Sequence, residues 1–159
     1  MLLIMLCGLP TSGKSTFVSK LLNDPAYKNS VVLSTDSYIE SVAQRLNKTY
    51  NEVFDDTIDE ATRQLELTLI DAKDRGNSII WDQTNLTPKI RRKKLSKIPS
   101  SYGRIAIWFD ITLDEALKRS QHRPGKVIPQ RVLHLMSEQF VPPSCDEGFD
   151  VVIKESVNG

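Results

Sequence analysis

The sequence predicts an α/β fold: a central parallel sheet of about five strands, helices on both of its faces, and a lid over one edge. Three observations carry that prediction. Short apolar runs alternate with amphipathic helical stretches along the chain, which is the pattern of a parallel sheet covered on both sides. The first run, 2–7, leads directly into Gly8-Leu9-Pro10-Thr11-Ser12-Gly13-Lys14-Ser15, a G-x-x-x-x-G-K-[ST] phosphate-binding loop. Asp36, Asp82 and Asn85 fall at the ends of predicted strands, the edge where such sheets bind ligands.

The chemistry of the loop explains its spacing. Gly8 and Gly13 let the backbone curl through Pro10, Thr11 and Ser12 so that successive N–H groups point inward and cradle phosphate oxygens. The following helix aims its positive end at the same anion. Lys14 is placed to reach the β- and γ-phosphates, and the Ser15 hydroxyl to ligate Mg²⁺. These residues imply binding of a nucleoside triphosphate with magnesium.

The remaining elements follow in order. Phe17, Val18, Leu21 and Leu22 recur at helical spacing, and Asn23-Asp24-Pro25 stops that helix. Val31-Val32-Leu33 reads as the second strand, followed by Ser34-Thr35-Asp36-Ser37-Tyr38 and a helix to about Leu46. Residues 47–54 read as a loop. The stretch 57–75 is the clearest helix, with Ile58, Ala61, Leu65, Leu69 and Ala72 on one stripe and Gly76 after the last turn. A third strand spans 78–81, and Pro88 fits the first turn of a basic helix reaching Lys97. The fourth strand, 104–109, precedes a helix over 113–122. Pro124-Gly125 breaks the chain, Pro129 opens a helix to about Phe140, and 151–153 reads as the last strand.

Composition narrows the function classes. With 159 residues, 40% hydrophobic and 26% charged, a single soluble domain over 1–159 is expected. Twenty-one basic against twenty acidic residues leave a net charge of +1, so no overall basic field argues for nucleic acid. Cys7 and Cys145 lie far apart, which predicts no disulfide and a cytoplasmic setting. The 1–7 run lacks a basic leader and is too short to cross a membrane, so it is expected to be a buried strand.

Several polar residues admit two readings. Asp36 is placed to take the proton of an attacking hydroxyl, or to cap the helix that starts near Tyr38. Asp82 and Asn85 fit a carboxylate that holds Mg²⁺ through water, or a turn. Arg119 and Arg123, four apart beside the Pro-Gly break, fit a lid over 119–129 that neutralises charge on a transferring phosphoryl group, or a solvated face. The cations of 89–97 could meet a phosphate backbone, but no aromatic residue interleaves them for base stacking.

Together these residues resemble the phage-type polynucleotide 5′-hydroxyl kinases and their P-loop kinase relatives. The resemblance rests on Gly8 to Thr16, Ser34-Thr35-Asp36-Ser37-Tyr38, Asp82-Gln83-Thr84-Asn85-Leu86 with Arg91-Arg92, and Lys118-Arg119 through Arg123 to Val127-Ile128-Pro129. It implies ATP as donor, Thr16 as an extension of the cradle, Lys14, Asp36 and Arg123 as catalytic residues with Asp36 the base, and Asp82 beside the metal. It also implies Arg123 and Arg119 as lid cations on ATP, and a nucleic-acid 5′-hydroxyl end as acceptor. One position departs: Ile39 stands where those kinases carry an arginine on the acceptor phosphate. No phosphatase domain is expected. The sequence is also similar to the P-loop domain of the heterogeneous nuclear ribonucleoprotein U type, through Asp82-Gln83-Thr84-Asn85 and Phe140-Val141-x-Pro143, which implies ATP and RNA binding without transfer. A nucleoside or sugar kinase on the same scaffold is the third possibility.

Overall fold

A computed structural model describes residues 1–157. Five strands form one all-parallel sheet: β1 (Leu2–Cys7), β2 (Val31–Leu33), β3 (Ile79–Asp82), β4 (Gly103–Asp110) and β5 (Val151–Ser156), in the order β2-β3-β1-β4-β5. The helices are α1 (Lys14–Leu22), α2 (Thr35–Leu46), α3 (Tyr50–Asp74), α4 (Pro88–Leu95), α5 (Leu113–Gln121) and α6 (Gln130–Gln139).

Strand alternation divides the core into two layers. Leu3, Met5 and Cys7 of β1 turn one way and pack with Leu33, Ile79 and Trp81 against Leu65, Leu69 and Ala72 of α3 and Leu95 of α4. Ile4 and Leu6 turn the other way and pack with Ile80 and Ile107 against Val18, Phe17 and Leu21 of α1. β1 is buried on both faces, which is why its sequence is apolar at nearly every position rather than alternating. A third cluster joins α2 to α3 through Ile39, Val42, Val53 and Ala61.

The chain crosses from β1 to β2 and β3 on one side and to β4 and β5 on the other. The carboxyl end of β1 therefore lies at the point where the strand order reverses, and a crevice opens there. The phosphate-binding loop leaves β1 into that crevice.

Two helix starts move. Of residues 47–54 only 47–49 form a loop: α3 begins at Tyr50, because Thr49 and Glu52 form a capping box in which each side chain accepts from the other residue's backbone N–H. Likewise α2 starts at Thr35, with the Ser34 hydroxyl accepting from Ser37 N at 3.4 Å. Asp36 is thus a first-turn residue, and the cap is Ser34.

Candidate active site

The loop reaches its shape through backbone torsions that few residues adopt. Gly13 caps α1 at φ 95° and Thr11 sits at φ 68°, both in the left-handed region. A Cβ built on Gly13 would meet nothing within 4 Å, so the space above the helix start is open. No side chain caps α1, and its first N–H groups face that space. The start of the loop is fastened to the neighbouring strand exit by Gly8 N donating to Thr84 O at 2.9 Å. Thr11 Oγ1 donates to Ala116 O at 3.2 Å, which ties the loop to α5.

Lys14 is buried beneath this opening. Its Nζ donates to the carbonyls of Gly8 at 3.0 Å and Leu9 at 2.7 Å and lies 3.4 Å from Ser12 Oγ. Burial pulls its pKa down to about 8, and the carboxylates of Asp82 and Asp36 hold it from falling further. Ser15 Oγ donates to Asp82 Oδ2 at 3.2 Å, across the gap between α1 and the end of β3. Burial raises the pKa of Asp82, opposed by the Lys14 charge and the Ser15 hydrogen bond. Two oxygen donors adjoining a phosphate cradle fit magnesium, a hard cation that takes oxygen ligands.

Arg119 and Arg123 both come to this side of the molecule. Arg119 Nε donates to Glu115 Oε1 at 2.8 Å, and its Nη1 donates to Thr11 O at 3.3 Å. It also lines a cavity of about 580 Å³ with Ser12, Gly13, Thr16, Phe109 and Val157, beside the loop. Pro10 lies in the same loop, partly exposed, while Thr16 is exposed on the first turn of α1. Arg123 is half-buried just past the end of α5, and its charge is felt at both Lys14 and Tyr50.

Asp36 projects from α2 with half of its side chain exposed. Tyr50 Oη donates to Asp36 Oδ1 at 2.6 Å, and Lys126 Nζ lies 3.5 Å from Oδ2. Lys126 also pairs with Glu40 and stands 4.6 Å from the Tyr50 ring centroid. Tyr50, Glu40 and Lys126 were not visible as site residues in the sequence. The Thr49-x-x-Glu52 spacing could have revealed the helix that presents Tyr50, while nothing local marks Lys126.

Asn85 and the basic helix have another purpose. Asn85 is buried at φ 46°, with Nδ2 donating to Leu6 O at 2.7 Å. Arg91 is wholly buried, donating to both carboxylate oxygens of Glu147 at 2.7 and 3.1 Å and to Asn85 O at 2.8 Å. Lys94 Nζ donates to Asn85 Oδ1 and Gln83 Oε1 and lies 5.1 Å from the Trp81 ring. Lys97 pairs with Glu66. Three of the six cations between 89 and 97 are therefore occupied inside the fold, leaving Lys89, Arg92 and Lys93 exposed. The turn reading of Asn85 holds, and the run is not a continuous basic face.

Residues 3–143 match the AAA domain family. The chain belongs to the AAA domain family. Within it, this AAA domain is P-loop kinase-like. It is 30% identical over 155 residues to the L-seryl-tRNA(Sec) kinase of Methanococcus maripaludis, covering 94% of this chain and 56% of that protein. The chain thus spans little more than half the length of that curated relative. A candidate kinase from Chloroflexus aurantiacus superposes with a TM-score of 0.70 at 20% identity, over 98% of this chain and 87% of that one. The shikimate kinase of Acinetobacter baumannii, solved with shikimate, gives 0.57 at 18% identity, over 100% and 86% of the two chains. These two likenesses show the fold: an α/β sheet of five parallel strands flanked by helices. A P-loop kinase fold implies ATP and magnesium. Among the described residues, no helix is long and apolar enough to cross a membrane.

Proposed function

We propose that this chain is an ATP-dependent kinase that phosphorylates a primary hydroxyl carried on a nucleic acid, with the 5′-hydroxyl end of DNA or RNA as the first acceptor. The observation that carries the reading is Asp36. It is a half-exposed carboxylate, free of any capping duty, close enough to Lys14 for its charge to bear on that lysine.

In this reading the backbone N–H groups of the loop, with Lys14, hold the β- and γ-phosphates of ATP. Asp36 accepts the proton of the acceptor hydroxyl. The acceptor oxygen forms the new bond to the γ-phosphorus, and the bond to the bridging oxygen breaks, its electron pair leaving on ADP. Arg119 and Arg123 offset the charge that spreads over the transferred group, which places their action in the transition state. Ser15 and Asp82 hold magnesium, which when bound neutralises phosphate charge. The lid over 119–129 excludes water from the transfer.

The motif resemblance and the name of the tRNA kinase relative both favour an alcohol attached to a nucleic acid. A small-molecule acceptor is the second reading, and two observations favour it. Ile39 is fully buried between α2 and α3, so α2 offers no cation there, and two of the five α4 cations, Arg91 and Lys94, are occupied inside the fold.

One panel separates these readings: labelled ATP offered with 5′-hydroxyl oligonucleotides, seryl-tRNA, nucleosides, shikimate, gluconate and water alone. The expected result is fastest transfer to a nucleic-acid acceptor. Asp36→Asn should keep ATP binding and lose roughly 10²-fold in transfer. Faster phosphorylation of a free small molecule overturns the acceptor assignment. Near-wild-type transfer in Asp36→Asn removes the base.

A further inference from the structure

We propose that Tyr50 is a positioning residue that fixes the Asp36 carboxylate, leaving one oxygen of known direction to take the acceptor proton. The inference rests on the reading of Asp36 as the base and extends it to a residue outside every motif of the chain.

The two oxygens of Asp36 have different neighbours. Oδ1 accepts from Tyr50 Oη at 2.6 Å, a short bond of the charge-assisted kind. Oδ2 faces Lys126 Nζ at 3.5 Å, well beyond the roughly 2.7–2.9 Å of a made ammonium–carboxylate hydrogen bond. That oxygen therefore keeps lone pairs for an incoming hydroxyl. Burial, and then the hydrogen bond to Asp36, hold the Tyr50 phenol well above its ordinary value, so Tyr50 stays a neutral donor.

The same turn of α3 holds the lid. Asn51 N donates to Gly125 O at 2.9 Å, and Asn51 Nδ2 donates to Val127 O at 3.2 Å. Gly125 rests on Thr49 so closely, at φ 68°, that a Cβ there would fall 2.6 Å from Thr49 Cβ. Lys126, carried between these contacts, pairs with Asp36 and Glu40 and covers the Tyr50 ring. Residues 49–51 are thus a shared platform for the base and the lid. A carboxylate on an exposed first turn swings freely about χ2, and a hydrogen bond from a ring packed on Phe54 removes that freedom.

Tyr50→Phe deletes the hydroxyl and keeps the ring against Phe54. With ATP and the fastest acceptor of the panel above, water included, kcat should fall about tenfold while the KM for ATP and the thermal midpoint stay at wild-type values. The double variant Tyr50→Phe/Asp36→Asn should be no slower than Asp36→Asn alone, because a residue that acts through the carboxylate has nothing left to position. Wild-type kcat in Tyr50→Phe, or losses that multiply in the double variant, overturns the role of Tyr50 while the base stands. Near-wild-type transfer in Asp36→Asn overturns the base and this inference with it.

Discussion

Lys14 and Arg91 are both buried cations close to the exit of β3, yet they are satisfied in opposite ways. Lys14 donates to two backbone carbonyls and approaches a hydroxyl, with Asp82 and Asp36 nearby acting through space. Arg91 is matched fork to fork by Glu147, whose side chain is itself only 6% exposed, and closes its fan on the Asn85 carbonyl. Neutral carbonyls can be exchanged for a phosphate with gain, because an anion is the better partner for an ammonium. A guanidinium that already holds its own carboxylate gains nothing from a ligand. The first arrangement suits an anionic ligand and the second a scaffold.

Removing a partner from each cluster should therefore move different observables. Glu147→Ala strands a charge at a wholly buried Arg91, and breaking a buried pair in this way costs about 3–5 kcal/mol. Denaturant unfolding should show that loss, with ATP affinity of the folded fraction unchanged. A cost under about 1 kcal/mol would mean that water reaches Arg91 and that the contrast with Lys14 is false. The next effect is smaller and of the other kind. Lys14→Ala removes a charge-assisted phosphate contact worth about 1.5–3 kcal/mol, so ATP should bind roughly 10- to 150-fold more weakly and transfer should be lost. Its unfolding midpoint should shift little. Calorimetry showing wild-type ATP affinity would sink the assignment of Lys14 to phosphate.

The sequence carried the first region far better than the second. The strand, loop and first helix are contiguous, so the apolar run 2–7 and the glycine spacing suffice to place Lys14. Arg91 and Arg92 are indistinguishable on paper. Only the fold puts one into the core, because its partner Glu147 arrives from a short 3₁₀ turn before β5. The stretch 119–129 shows the same limit. Lys126 meets Asp36 through a contact between segments far apart in the chain, which no local pattern marks. The helix presenting Tyr50 carried two local signs, its capping box and the apolar spacing of Tyr50, Val53, Phe54, Ile58 and Ala61. Strand lengths also shifted where tertiary pairing decides them: β5 runs on to Ser156 because β4 continues beside it to Asp110.

The finest effect concerns the titration of Lys14. Burial has pulled its pKa down to about 8. In the protein without nucleotide it is protonated at neutrality and loses its proton as the pH rises through that value. Bound phosphate favours the charged form, so ATP must draw a proton onto Lys14 whenever it binds above this point. Two measurements follow. Between about pH 7 and about pH 9, ATP affinity should weaken roughly tenfold, since only the protonated fraction is ready to bind. Calorimetry in buffers of different ionisation enthalpy should find about one proton taken up per ATP near pH 9 and close to none near pH 7. Flat affinity with no proton uptake would mean that Lys14 keeps its charge in the free protein, and that its loop is as fully matched to it as Glu147 is to Arg91.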